Sequence, residues 1–178
     1  PEGVRGSADV TVSAAAPRKG ALHGEVEADL AALALDVPGL HLAKPAGTAG
    51  RLQLAFARPD ESRLTLEKVN ASLPSLTVRG RAELAGSPWR PTRVELSHLA
   101  WAGSVAKADL TLTPERVRGR VAAERADIRP WLARRGGGSG GVVPDLPASS
   151  LAVSADTLVL PGAPLRGVQG SVERAARG

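Results

Sequence analysis

The 178-residue sequence has no cysteine, no methionine and no tyrosine, and its aromatic residues are one phenylalanine and three tryptophans. Without cysteine there is no disulfide scaffold, no thiol nucleophile and no thiolate metal site. Four aromatic rings cannot supply the stacking platforms on which proteins hold single-stranded nucleic acid. No stretch approaches the roughly 18 consecutive apolar residues of a spanning helix. At 43% hydrophobic and 23% charged residues, the composition is neither that of a disordered tail nor that of a membrane bundle. The length suits one domain, or one module with part of another. The chain opens at Pro1 and contains no Met, which reads as a piece of a longer protein whose signal or anchor lies upstream.

What the sequence does contain is aliphatic and basic. A net charge of +5 and a pI near 10.6 invite a polyanion reading, because Lys and Arg displace counterions from phosphates. The basic residues, however, alternate singly with apolar or small ones, as in Arg79-Gly80-Arg81 and Arg116-Val117-Arg118-Gly119-Arg120. That is the pattern of arginines on the wet face of a sheet.

Period two dominates the chain. In Leu22-His23-Gly24-Glu25-Val26-Glu27-Ala28-Asp29-Leu30 the even positions are apolar or small and the odd ones polar, as in a strand with one dry face. The alternation returns at Arg51 to Phe56, Arg63 to Glu67, Leu76 to Arg79, Arg81 to Leu84, Arg93 to Leu96, Asp109 to Leu112, Arg118 to Ala123 and Leu151 to Ala155. Turn signals separate these runs: Pro38-Gly39, Arg58-Pro59-Asp60, Gly86-Ser87-Pro88, Ala102-Gly103 and Thr113-Pro114-Glu115. Short strands without helical segments between them predict an antiparallel meander rather than parallel β-α-β units. Asp127 to Arg135 reads as one short helical turn with Asp127 as a candidate N-cap, and Gly136 to Gly141 as a flexible linker. An antiparallel sheet with one apolar face must cover it with a second sheet, with helices or with something that is not protein. Leu, Val and Ala without large rings make a smooth lining suited to acyl chains, each buried CH₂ contributing about 0.8 kcal/mol. A closed sandwich is the competing arrangement.

Chemical motifs are weak by comparison. Gly137-Gly138-Ser139-Gly140-Gly141 matches G-x-S-x-G, but a run of glycines cannot hold the strained elbow that a nucleophile needs. Ser104-Val105-Ala106-Lys107 matches S-x-x-K, yet residues three apart on a strand point to opposite faces. Among His23, His41 and His98 only His23-x-Glu25 offers a same-face pair, short of the three or four groups that a metal requires. Glu25, Glu27 and Asp29 share one wet face, where like charges on a solvated strand explain them without acid–base chemistry. Trp89, Trp101 and Trp131 read as plugs of module ends or turns. Neither an enzymatic activity nor a cofactor or metal is expected.

An ordered series of segments carries a family resemblance. Glu27-Ala28-Asp29-Leu30, Leu35-Asp36-Val37-Pro38-Gly39-Leu40 and Ala43-Lys44-Pro45-Ala46-Gly47 are followed by Leu76 to Leu84, Leu96-Ser97-His98-Leu99 and Ala126-Asp127-Ile128-Arg129-Pro130-Trp131-Leu132. Ala155-Asp156-Thr157-Leu158 and Val168-Gln169-Gly170-Ser171-Val172 close the series. Over roughly residues 20 to 175 the chain resembles the AsmA-like envelope proteins, most closely their YhdP-type branch. The resemblance implies a segment of a bridge-like molecule that spans the periplasm and is anchored in the inner membrane by a part not present here. It further implies a repeating hydrophobic β-groove that conducts phospholipid between the inner and outer membranes, with adjoining repeats as neighbours and no nucleic-acid partner.

The expected fold is therefore all-β: an antiparallel curved sheet forming an open groove of stacked repeats, with at most one or two short helical turns. Residues 1–20 are read as a strand and turn continuing an upstream repeat, 21–134 as one β-repeat module, 135–148 as a Gly/Pro-rich linker and 149–178 as the start of the next repeat. The groove is assigned to Leu52, Leu54, Phe56, Leu64, Leu66, Leu76, Val78, Leu84, Val94, Leu96, Leu110 and Leu112, with acyl chains lying along it. Two alternatives stand beside lipid conduction: a TamB-like assembly factor that holds nascent outer-membrane strands by edge pairing, and a basic polyanion-binding β-domain.

Overall fold

A computed structural model describes residues 3–17, 20–37, 42–132 and 148–175. In chain order the elements are β1 (Val4–Arg5), β2 (Asp9–Ala15), β3 (Leu22–Asp29), β4 (Ala34–Val37), β5 (Leu42–Lys44), β6 (Arg51–Asp60) and β7 (Arg63–Leu73). They continue with β8 (Leu76–Ala85), β9 (Arg90–Trp101), β10 (Ser104–Leu112), β11 (Arg116–Asp127), α1 (Arg129–Leu132), β12 (Ala148–Val159) and β13 (Pro164–Arg174). The protein is all-β, as the two-residue periodicity predicts, and its one described helix is the four-residue turn expected after Asp127. The predicted turn at Pro38-Gly39, most of the predicted linker and the G-x-S-x-G run lie outside the described residues.

Ten strands form one long sheet in the order β13-β12-β11-β10-β9-β8-β7-β6-β3-β2, and β1, β4 and β5 form a small second sheet. The long sheet does not close: β2 and β13 sit at opposite ends of the order. Each hairpin is set by local chemistry. Between β6 and β7, Asp60 Oδ1 accepts from Ser62 N at 2.9 Å and from Ser62 Oγ at 2.7 Å, while its Oδ2 accepts from Arg63 Nε at 2.7 Å. Between β9 and β10, Ala102 and Gly103 both take positive φ, 48° and 80°, the backbone of a tight turn whose twist matches the flanking strands.

The pairing departs from a pure meander in one place. β11 and β12 are parallel, from Arg116↔Ala148 to Asp127↔Val159. A parallel neighbour requires the chain to cross back to the end it started from, which takes a dozen residues or more. The span from 128 to 147, including α1, supplies that length, so the strands beyond it add to the same sheet. A second departure lies between β3 and β6, which are neighbours in the sheet although residues 30–50 intervene. That excursion carries β4 and β5 and is tied down where it leaves, Leu30 N donating to Gly50 O at 2.8 Å.

Register shifts occur at five successive interfaces, from β6/β7 to β10/β11. Each marks an extra residue on one strand, a device that increases twist and bends a sheet. The β6/β7, β7/β8 and β8/β9 interfaces each include one shift in mid-strand, and the shifts of β9/β10 and β10/β11 lie near the start of β10.

Candidate functional site: an apolar face left largely open

Directly paired residues of neighbouring strands point to the same side of a sheet, so the register identifies each face without further assumption. One row across all ten strands reads Val12, Val26, Leu54, Val69, Gly80, Leu96, Ala108, Val121, Val153 and Gly170. Beside it runs Ala14, Gly24, Phe56, Leu66, Ala82, Val94, Leu110, Gly119, Leu151 and Val172. On the other side runs Val10, Ala28, Leu52, Ala71, Val78, Leu99, Ala106, Ala123, Ala155 and Val168. None of these thirty positions carries a polar side chain.

The twelve residues assigned to a groove from the sequence all fall on this face. Leu54 and Leu96 occupy the central row, Phe56, Leu66, Val94 and Leu110 the second, and Leu52 and Val78 the third. Leu64 faces Leu84, and Leu112 faces Val117, just beyond the second row, whereas Leu76 faces Leu73 and Trp101 beyond the third. Twenty-two further members of the three rows were not assigned to the groove from the sequence. Val69 and Leu99 show why: counted by twos from Leu66 and Leu96 they belong to the wet face. The extra residues at Glu67–Lys68 and Ser97–His98 reset the phase, and both side chains return to the apolar side.

This face has no full second layer among the described residues. All twelve assigned side chains are half-buried and none is buried. Among the described residues six apolar ones are buried, five of them alanines: Ala28, Ala57, Ala123, Ala148 and Ala155, with Val159. At the sheet edges Val12 is 62% exposed and Val172 52%. The leucines shield one another along the rows, and their outer surfaces remain accessible.

One end of the sheet is better closed than the other. The bottoms of β3, β6 and β7 meet the excursion, where Lys44 is 1% exposed. Its Nζ donates to the carbonyls of Leu33 at 2.6 Å, Ala31 at 3.2 Å and Pro45 at 3.4 Å, one acceptor for each ammonium proton. Gly50 leaves room for it, since a Cβ there would meet the Lys44 Cε at 2.7 Å and the Leu73 Cδ2 at 2.9 Å. At the same end of β11, the buried Asp127 accepts from Arg129 N at 3.1 Å, Arg129 Nε at 2.9 Å and an Arg129 terminal nitrogen at 2.6 Å. The Arg129 hydrogen bonds hold its carboxyl at about 2, well below the usual value. Ser104 Oγ accepts from Asp127 N at 2.9 Å, and the carboxylate packs closely against Gly103, 3.2 Å from where a Cβ would stand. Ser104 thus serves the cap, with Lys107 on the opposite face of β10, as the S-x-x-K spacing on a strand requires.

The reverse face is polar. Arg81 and Arg93 share Glu95, and Arg93 also reaches Asp109 at 3.3 Å. A shallow hollow of about 530 Å³ is lined by Arg81, Glu95 and Asp109 together with Lys68, Asn70 and Arg79. Glu25, Glu27 and Asp29 are exposed, and Glu27 accepts from Gln53 Nε2 at 3.1 Å. His23 is exposed and His98 half-buried beside Arg79, while His41 lies outside the described residues. No cluster of three or more His, Asp or Glu suited to a metal occurs among the described residues, and no described helix is long and apolar enough to cross a membrane. Comparison with protein-family models, with curated proteins and with solved structures gives no match to this chain.

Proposed function

We propose that this chain is a segment of an inner-membrane-anchored, periplasm-spanning protein and that its apolar face conducts phospholipid acyl chains between the two membranes. The observation that carries this reading is the continuity of three apolar rows across ten strands, buried only at Ala28, Ala123 and Ala155 and without a full covering layer among the described residues. A protein that needed this face only as a core would cover it, because exposed aliphatic surface is worth about 25 cal/mol per Å² when removed from water. A linear guest fits the arrangement. Rows of Leu, Val, Ala and Gly offer a surface with no polar atom to orient a ligand and nothing to arrest its movement across the strands. The step is passive and breaks no bond; the headgroup stays in water at the border while methylene groups replace one another on the rows. The likeness of the segment series to AsmA-like proteins points the same way.

Photo-crosslinking tests the proposal. A diazirine side chain placed at Leu54 or Leu96 in protein expressed in a Gram-negative host should capture phospholipid, whereas the same group at Glu27, exposed on the acidic part of the polar face, should not. Equal capture at both faces, or none at the apolar one, contradicts it. A second reading draws on the outer edges of β2 and β13, which no described strand pairs: an assembly factor that holds nascent β-strands by edge addition. Crosslinks from β2 to client polypeptide, with none from Leu54 to lipid, would favour that reading.

A further inference from the structure

The polar face is not uniformly charged. On β3 its charged side chains are Glu25, Glu27 and Asp29; in the middle strands Arg81 and Arg93 are matched by Glu95 and Asp109. On β11 the balance reverses. Arg116, Arg118 and Arg120 follow one another at two-residue spacing, about 6.7 Å apart along the strand. All three are exposed, and none makes an ion pair. On the β12 side they adjoin Ala148, Ser150 and Ala152, none of which carries charge. On the β10 side Arg118 adjoins Thr111 and Arg120 adjoins Asp109, whose carboxylate is already engaged by Arg93. Three guanidinium groups are therefore held in a line by a rigid strand, with small neighbours that leave their planar forks accessible.

We infer that Arg116, Arg118 and Arg120 form a ladder that binds phosphate groups arrayed in a line, on the face opposite the acyl-chain rows. Guanidinium pairs with phosphate oxygens through two parallel N–H···O bonds, and a fixed strand gives three such forks one direction and one repeat. The polar face of β10 to β12 carries no aromatic side chain, so the ladder reads phosphate and not bases. Such phosphates can belong to an anionic lipid surface or to a free polyphosphate chain, and the two sources are separable by experiment. The ladder is independent of the proposed acyl-chain function, since it occupies the other side of the sheet.

The test compares wild type with R116Q/R118Q/R120Q and with R79Q/R81Q/R93Q, which removes the same charge from elsewhere on the same face. Binding is measured to inorganic polyphosphate by titration calorimetry and to vesicles of phosphatidylglycerol against phosphatidylcholine by co-sedimentation, with circular dichroism verifying the fold. The wild type should bind at least one phosphate source. The ladder variant should bind it at least about tenfold more weakly, and the slope of log affinity against log salt should become shallower by about 2, at about 0.7 per phosphate contact. The R79Q/R81Q/R93Q variant should change either quantity much less. Binding to polyphosphate alone assigns a free chain, and binding to phosphatidylglycerol vesicles assigns headgroups. Absence of binding to both, or equal losses in the two folded variants, overturns the ladder. Lipid capture at Leu54 should be the same in all three proteins, so a failure of the ladder leaves the apolar-face reading standing, and the reverse.

Discussion

The two ends of the sheet are built from different materials. At one, a buried ammonium satisfied by three carbonyls and a buried carboxylate satisfied by one arginine hold the chain excursion and α1 against the strand ends. At the other, exposed hairpins are held by short-range contacts, such as Asp60 with Ser62 and Arg63, or Arg58 lying 5.6 Å over the Trp89 ring. Between them the apolar rows run without interruption. Polar groups close one end of the sheet, and its apolar face is left to side chains without hydrogen-bonding capacity.

Substitutions at the closed end should have the largest effects. Lys44→Met removes the three hydrogen bonds of a buried ammonium, the shortest of them to the Leu33 carbonyl, and is expected to cost about 2 to 3 kcal/mol in urea unfolding. An effect no larger than that of an exposed hairpin contact would erase the difference between the ends. On the rows, Leu96→Asp should cost only about 1 to 2 kcal/mol, because an open face lets the carboxylate reach water; a sealed core would lose more than about 4 kcal/mol. Acid should weaken the closed end next. The Asp127 carboxyl is held at about 2, below the usual 3.8, so its contribution is complete above the unfolded value and is lost as pH falls from near 4 through about 2. Asp127→Asn should flatten the fall of melting temperature over that range and leave it unchanged at neutral pH relative to pH 5. Smallest of all, Arg81→Gln on the polar face should shift stability by less than about 0.5 kcal/mol, as exposed ion pairs usually do.

Much of this organisation was legible in the sequence. Alternation alone placed twelve aliphatic and aromatic residues on one side, because a strand's side-chain period is two whatever its neighbours are. Two features escaped for opposite reasons. Val69 and Leu99 were hidden by bulges, which shift phase by one residue and have no marker as clear as Gly or Pro at Glu67–Lys68. Lys44 was hidden by its type: a lysine in Ala43-Lys44-Pro45 reads as exposed, and its burial depends on carbonyls of Ala31 and Leu33 that only the folded excursion brings together. The parallel β11/β12 pair was likewise beyond periodicity, since strand direction depends on how the intervening segment returns and not on the strands themselves.

If the apolar rows carry acyl chains, lipid should accompany the protein through purification from membranes without detergent exchange and be released by solvent extraction for mass spectrometry. Wild type should yield phospholipid in stoichiometric amount, and folded Leu96→Asp should yield little. A folded wild-type protein free of lipid, with hydrogen exchange showing the three rows sealed from solvent by its own residues, would contradict it.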